Sequence, residues 1–218
     1  MLLSDPLAGP AETQVADVRD YPEWHKGRAR YGAWVALIEQ PALLAYIDIC
    51  RHRLRDLLHP CPQRQPHLTV FVCGFEQPAR VEHDDFPPDA LARQIACLEH
   101  DMAAPCELPL APPDSFASAA FIPVGDPQRR LARWRQSLGQ VSAEIRQSPY
   151  VPHITLGLYR QRVSAAVLRQ RLGALEAPTM ALDMTRLVYV TYAASELFGA
   201  LQVQHSVPMR MPASAGTS

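Results

Sequence analysis

The sequence lacks the features that would place it in several large classes. No C-x-x-C occurs among its five cysteines, and the count is odd. A disulfide framework or a zinc knuckle is therefore not expected, and the thiols read as buried and reduced. No apolar run reaches the roughly 18 residues of a membrane helix. The opening MLLSDPLAGPAETQVADVRD has no basic start followed by an apolar core, so it does not read as a secretion signal, and a cytoplasmic location follows. There is no excess of positive charge: 21 Lys and Arg stand against 22 Asp and Glu. Binding along duplex DNA is not expected from that balance. H-E-x-x-H, a phosphate loop closed by G-K-[ST] and a G-x-S-x-G elbow are also missing. No metal or other cofactor is called for, and His83, Asp84, Asp85, His100 and Asp101 read as exposed charges.

What is present is ordinary in bulk. The 218 residues, 48% hydrophobic and 20% charged, describe a globular chain with enough core to need no staples. Residues 1–20 read as a flexible tail, 21–207 as one domain and 208–218 as a frayed end. Strands are expected at 31–39, from His67 to Phe75, around 106–124, and from His153 to Tyr159. A closing strand pair is expected near the end. Helices are expected from Pro41 to about Leu58, over 87–102, over 126–147 with Asp126 as N-cap, and over 164–175 with Ser164 as cap.

One feature is unusual. Pro66-His67-Leu68-Thr69-Val70 returns as Pro152-His153-Ile154-Thr155-Leu156, the histidines 86 positions apart. A shuffled chain of this composition shows one such pentad roughly once in a thousand tries, so two are not chance. The order strand, helix, pentad strand also occurs twice, in 31–75 and in 116–159. Two similar lobes facing each other would bring the pentads side by side.

Strand alternation divides each pentad. Leu68, Val70 and Val72 share one face, as do Ile154, Leu156 and Leu158. The opposite faces carry His67, Thr69 and Phe71, and His153, Thr155, Gly157 and Tyr159. Paired histidines allow one to activate a nucleophile while the other protonates a leaving oxygen. A threonine hydroxyl about 7 Å along the same face can donate to a phosphate oxygen. Two histidines and two threonines thus form a metal-free cradle for displacement at phosphorus. Phe71 and Tyr159 either flank the substrate or pack.

This pair of His-x-Thr motifs resembles the two-histidine (2H) phosphoesterase superfamily, including the 2′-5′ RNA ligase-like RNA 2′,3′-cyclic phosphodiesterases. The resemblance spans residues 31–207. It implies an α+β, bilobal fold, each lobe an antiparallel sheet with flanking helices, and a cleft holding both motifs. It implies hydrolysis of 2′,3′-cyclic phosphates to 2′-phosphomonoesters, with His67 as acid and His153 as base. Weak 2′-5′ ligation would be the reverse reaction, and the same fold could instead bind a nucleotide or RNA end without turnover. The implied partner is an RNA terminus or a small cyclic nucleotide, met by a monomer. YGAWVAL resembles the first strand of the plant-type members, in which a tryptophan lines the nucleotide site. Trp34 therefore either stacks on a base or ribose or fills the core. The basic segment His25, Lys26, Arg28 and Arg30 either reaches a phosphate or is solvated, the second being the simpler reading. The groups Arg51/Arg53/Arg55 and Arg129/Arg130/Arg133/Arg135 read as solvated helix faces, one of which could guide an RNA end. The ligase-type members often carry an arginine soon after the second motif; Arg160 stands seven residues after His153, a less usual offset for that role.

Overall fold

The structure is a computed structural model describing residues 5, 9–101, 104–146 and 148–210. The outer parts of both expected tails, residues 1–4, 6–8 and 211–218, lie outside the described residues.

A short helix α1 (Pro22–His25) precedes strand β1 (Arg30–Leu37), helix α2 (Pro41–Arg53) and strand β2 (His67–Glu76). A two-residue strand β3 (Asp85–Phe86) leads into α3 (Pro88–Asp101). The second half opens with β4 (Cys106–Pro109), β5 (Asp114–Ser115) and β6 (Ala119–Pro123). Helix α4 (Arg130–Val141), strand β7 (His153–Leu158), helix α5 (Ala165–Gly173) and strands β8 (Ala181–Met184), β9 (Arg186–Ala193) and β10 (Gln202–Pro208) complete the chain.

The main sheet runs β10-β9-β1-β2-β7-β6-β5, with β3 parallel to β2. The other pairings in it are antiparallel. Two lobes are visible in this order. One is β10-β9-β1-β2 and the other β7-β6-β5, and they meet at a single registered pair, Leu68 opposite Ile154. Of the closing strands, β9 and β10 pair as expected, whereas β8 leaves them to pair with β4 in a separate two-stranded sheet.

The helices bind the lobes together. Helix α2, from the first strand–helix–strand unit, packs against β7 of the second, and α4, from the second, packs against β2 of the first. Their apolar faces, Leu43, Ile47 and Cys50 on α2 and Leu131, Trp134 and Leu138 on α4, enter one core with Leu68, Val70, Ile154 and Leu156. Leu68 and Ile154 are fully buried, and each contributes about 1.5–3 kcal/mol by leaving water.

The helix expected over 126–147 is shorter at both ends. Asp126 does cap it, but from outside: its carboxylate accepts from the N–H groups of Arg130 and Ala132. The turn between includes Arg129 in the left-handed region, φ 55°, so Pro127 is not its first residue. Beyond Val141 the backbone becomes extended, because tertiary partners outbid the helix. Val72 N–H donates to the Glu144 carboxylate and Ile145 N–H to the Val72 carbonyl. Helix α2 likewise stops at Arg53 rather than Leu58, although Leu54, Leu57 and Leu58 remain buried. Ser164 caps α5, accepting from Val167 N–H.

The segment read as a free tail is docked over residues 11–16. Thr13 N–H donates to Val163 O, Gln14 N–H to Ala117 O and Ala16 N–H to Tyr159 O, and Thr13 is 1% exposed. The basic stretch that follows is also committed. Arg28 lies between Asp84 and Asp85 and over the Phe75 ring, Lys26 pairs with Glu82 and Arg30 with Glu76. Asp84 and Asp85 are thus buried partners of Arg28, not exposed charges. Near the other end, Met209 is buried and donates its N–H to Thr185 O.

Candidate active site

The two pentads lie where the lobes meet. Leu68 and Ile154 face each other in an antiparallel sense with their side chains in the core. Their chain neighbours point to the other face. Continued one residue to either side, that register would set His67 opposite Thr155 and Thr69 opposite His153.

The imidazoles are held in the same way. His67 Nδ1 is 2.8 Å from Gln65 O, and His153 Nδ1 is 2.6 Å from Val151 O. A carbonyl can only accept, so each neutral ring carries its proton on Nδ1 and keeps Nε2 basic. Burial pushes the His67 imidazole down to about 4, aided by the positive charges of Arg64, His153 and Arg51 and opposed by the Gln65 carbonyl. Burial also lowers His153, with Arg146 acting in the same direction and the Val151 carbonyl against it. Both histidines are therefore neutral in the free protein at neutral pH, in a surround that favours an anion. The His153 ring also stands edge-on to Phe116 and Phe121, centroids 5.0 and 5.2 Å away.

Immediately after each threonine the strand carries a β-bulge. Val35 pairs with Thr69 but Trp34 with Phe71, leaving Val70 extra. Phe121 pairs with Thr155 but Ala120 with Gly157, leaving Leu156 extra. A bulge places two consecutive residues on one side and inverts the alternation beyond it. Three assignments fail for related reasons. Phe71 shares its register with Trp34 and lies in the core, 2% exposed, while Val72 takes its place along the cleft. Tyr159 is fully buried, its hydroxyl 2.7 Å from Ser115 Oγ, and burial raises it to about 12. Trp34 is on the helix-covered face at 0% exposure, donating from Nε1 to Gln94 Oε1 at 2.8 Å. All three side chains are packed in the core.

The bulges free two backbone carbonyls, and an arginine takes each. Arg135 of α4 donates from Nη1 to Val70 O at 2.6 Å, and Arg51 of α2 from Nε to Leu156 O at 3.0 Å. Each arginine reaches the motif strand of the other lobe, so the arrangement has twofold character. The arginines differ in setting. Arg135 is also paired with Glu144 and stacks on Tyr150, its Cζ 3.7 Å from the ring centre. Tyr150 in turn donates to Thr69 O at 2.9 Å. Burial works to raise Glu144, but its hydrogen bonds from Arg135 and Val72 N–H hold it below its ordinary value. Arg51 has no such carboxylate among the described residues.

A hollow of about 220 Å³ opens beside the first motif. His67, Thr69, Thr155 and Arg51 lie along it, with Ala33, Val35, Val190, Tyr192 and Phe198 as an apolar wall. His153 stands outside this lining. Arg64 closes one side, lying 4.1 Å over the Tyr192 ring and donating to Leu197 O. A larger groove of about 1360 Å³ runs along α2 and α5 but includes none of the motif residues. The chemistry locates the site better than the volume does.

Arg51, Arg64, Arg135 and Arg146 were not identifiable from the sequence. Arg51 stood in a run that reads as a solvated face, and Arg64 in a Pro-rich loop. No spacing rule ties a helix arginine to a carbonyl of a distant strand. Away from the motifs, Glu82, His83 and Asp84 offer ligand atoms within 4.8 Å of one another. Their carboxylates are already answered by Arg28 and Lys26.

The fold and the paired motifs define a family: residues 40–196 match the 2′-5′ RNA ligase superfamily, and the chain belongs to it. No curated protein sequence matches the chain. Among solved structures, TT0787 of Thermus thermophilus is similar at a TM-score of 0.55 and 14% identity, covering 83% of this chain and 98% of that one. ATU0111 of Agrobacterium tumefaciens, described as a conserved protein of unknown function, is similar at 0.55 and 16%, covering 81% and 85%. E. coli LigT complexed with 3′-AMP is similar at 0.52 and 14%, covering 83% and 98%. At these identities the likeness shows the shared α+β fold. Among the described residues, no helix is long and apolar enough to cross a membrane.

Proposed function

We propose that the protein is a metal-independent phosphoesterase that opens 2′,3′-cyclic phosphates of RNA ends or nucleotides to 2′-phosphomonoesters. The observation that carries this reading is the matched pair of histidines, each held through Nδ1 by the main-chain carbonyl two residues before it, on two motif strands that meet at Leu68 and Ile154. A binding module needs no pair of acid–base groups in one tautomer. That a similarly folded protein, E. coli LigT, is seen with 3′-AMP agrees with a nucleotide substrate.

The chemistry follows from the placement. The cyclic phosphate is an anion, and its arrival beside His67 and the nearby arginines favours protonation of His67. Neutral His153 takes a proton from water at Nε2 as the water oxygen bonds to phosphorus. The bond from phosphorus to the 3′ oxygen breaks, and His67 gives that oxygen its proton. Thr69 and Thr155 donate to the non-bridging oxygens as charge builds there. The arginines supply positive charge and hold the strands.

The test is turnover of a 2′,3′-cyclic nucleotide, and of a short RNA ending in cyclic phosphate, with EDTA present. Wild type, His67→Ala and His153→Ala are compared. Turnover by wild type and a loss of about 10³-fold or more in each variant is expected. Undiminished turnover in either variant refutes the two-histidine mechanism, and tight binding without turnover in wild type favours a binding module.

A further inference from the structure

The residue balance near zero conceals a local imbalance. Several surface arginines are matched: Arg93 to Asp89, Arg162 to Glu12, Arg171 to Asp56 and Arg186 to Glu39. Arg80 and Arg133 form no ion pair among the described residues, but each shares its hollow with an acid, Asp89 and Asp101. Beside the motif hollow even that is missing. A second hollow of about 310 Å³ is lined by Arg51, Arg55 and Arg160, the two histidines His52 and His59, and no acidic side chain among the described residues. Among the same residues, none of those three arginines forms an ion pair. Arg55 approaches only the His52 ring. Arg160 donates to the backbone carbonyl of Asp56; the Asp56 carboxylate is held by both terminal nitrogens of Arg171 and meets Arg160 only as a nearby charge.

Part of this charge has a local explanation. Arg51 and His52 lie in the last turn of α2, where cations offset the negative end of the helix dipole. That does not account for Arg160, which follows β7, or for the lack of an acid in the lining. Unmatched cations around a concavity carry a self-repulsion that a bound anion relieves. The two hollows adjoin: Arg51, Cys61 and Leu156 line both. Arg51 stands at the junction, reaching the bulge carbonyl beyond Thr155.

We propose that this basin is a second phosphate subsite, engaging the phosphate on the 5′ side of the nucleotide whose cyclic phosphate lies between the histidines. The inference rests on the phosphodiesterase reading and sharpens it. The preferred substrate is then an oligonucleotide end, and a lone cyclic mononucleotide is a truncated one. Arg55 and Arg160 are specificity residues that touch the second phosphate and take no part in the bond-breaking step.

The test compares a 2′,3′-cyclic mononucleotide, its 5′-phosphorylated form and a dinucleotide ending in the same cyclic phosphate. For wild type, kcat/KM is expected to rise about tenfold when the second phosphate is present. Arg55→Gln with Arg160→Gln should erase that gain through KM, with kcat unchanged, and leave the plain mononucleotide within about twofold. A gain with the 5′-phosphorylated mononucleotide shows that the phosphate suffices, and a gain with the dinucleotide alone assigns it to the diester. Equal loss on all substrates, or no loss on any, overturns the subsite. Its fate can be separated from that of the catalytic reading by calorimetry with a deoxydinucleotide 3′-phosphate, which cannot be cyclised or opened. Wild type should bind it about tenfold more tightly than the deoxymononucleotide 3′-phosphate, and the double variant should not. Equal affinities in wild type refute the subsite even if no substrate is turned over.

Discussion

Replacing His67 by asparagine should make the protein less sensitive to acid. The folded state holds this imidazole neutral down to about pH 4, whereas its ordinary value is 6.5. Between those limits the unfolded chain binds a proton that the folded protein refuses. Stability therefore falls as pH falls through the window, because the unfolded state carries more protons there. At full burial the gap would be worth about 3 kcal/mol. The ring is only half-buried, so about 2 kcal/mol is the expected size. Asparagine keeps an amide nitrogen able to donate to the Gln65 carbonyl and removes the titration. Urea unfolding followed by tryptophan fluorescence at pH 7, 6, 5 and 4, in buffers without phosphate, measures it. Wild type should lose about 2 kcal/mol more than His67→Asn between pH 7 and 4. The other titrating groups are common to both proteins and cancel in the difference, apart from the coupling between His153 and His67, which belongs to the His67 effect being measured. Adding inorganic phosphate at pH 5 should return part of the wild-type loss, since an anion favours the charged ring. Parallel curves for the two proteins would refute the account of a desolvated, arginine-ringed histidine.

Three further outcomes are expected. Thr69→Val and Thr155→Val should each lower kcat about 10²-fold with stability little changed, read by steady-state kinetics beside thermal melts. Trp34→Phe should cost about 2–3 kcal/mol in urea, through the lost volume and a Gln94 carbonyl oxygen left with only the weak Cys73 thiol donor, and leave KM unchanged. A raised KM with unaltered stability would put Trp34 back at the substrate. Arg28→Met should cost about 3–5 kcal/mol at pH 7 by stranding Asp84 and Asp85. That penalty should shrink below pH 4, because both carboxyls are held below their ordinary range in the wild type and the paired contribution is lost as they protonate.

The paired motifs were legible and their surroundings were not. A pentad written twice is a local signal, and its proline, histidine and threonine announce a strand start and a polar face. The sheet then joined the copies at Leu68 and Ile154. Phe71 and Tyr159 were misread because alternation was carried past a bulge, and a bulge leaves no mark in V-F-V or L-G-L. Trp34 was ambiguous for another reason. In RYGAWVAL six consecutive residues are buried, so composition could not say which face met the helices. The arginines escaped for a third reason. Their partners are main-chain carbonyls 65 and 105 positions away, and a carbonyl has no identity in a sequence. The length of α4 was overread because Glu144 and Ile145 suit a helix locally and are claimed by β2 instead.

The crossed arginines bear on how such a protein can be divided. Each lobe owns one histidine, yet the main chain behind that histidine's motif is completed by a guanidinium from the opposite lobe. A chain severed between α3 and β4 would give two fragments, the second carrying away β9 and β10 that complete the first lobe, and neither would be a smaller version of the whole. Each would keep a strand with an unclaimed carbonyl and a helix with a guanidinium lacking its acceptor. Recovery of activity would require re-association, and it would follow the product of the two fragment concentrations. The site belongs to the seam and is inherited by neither half.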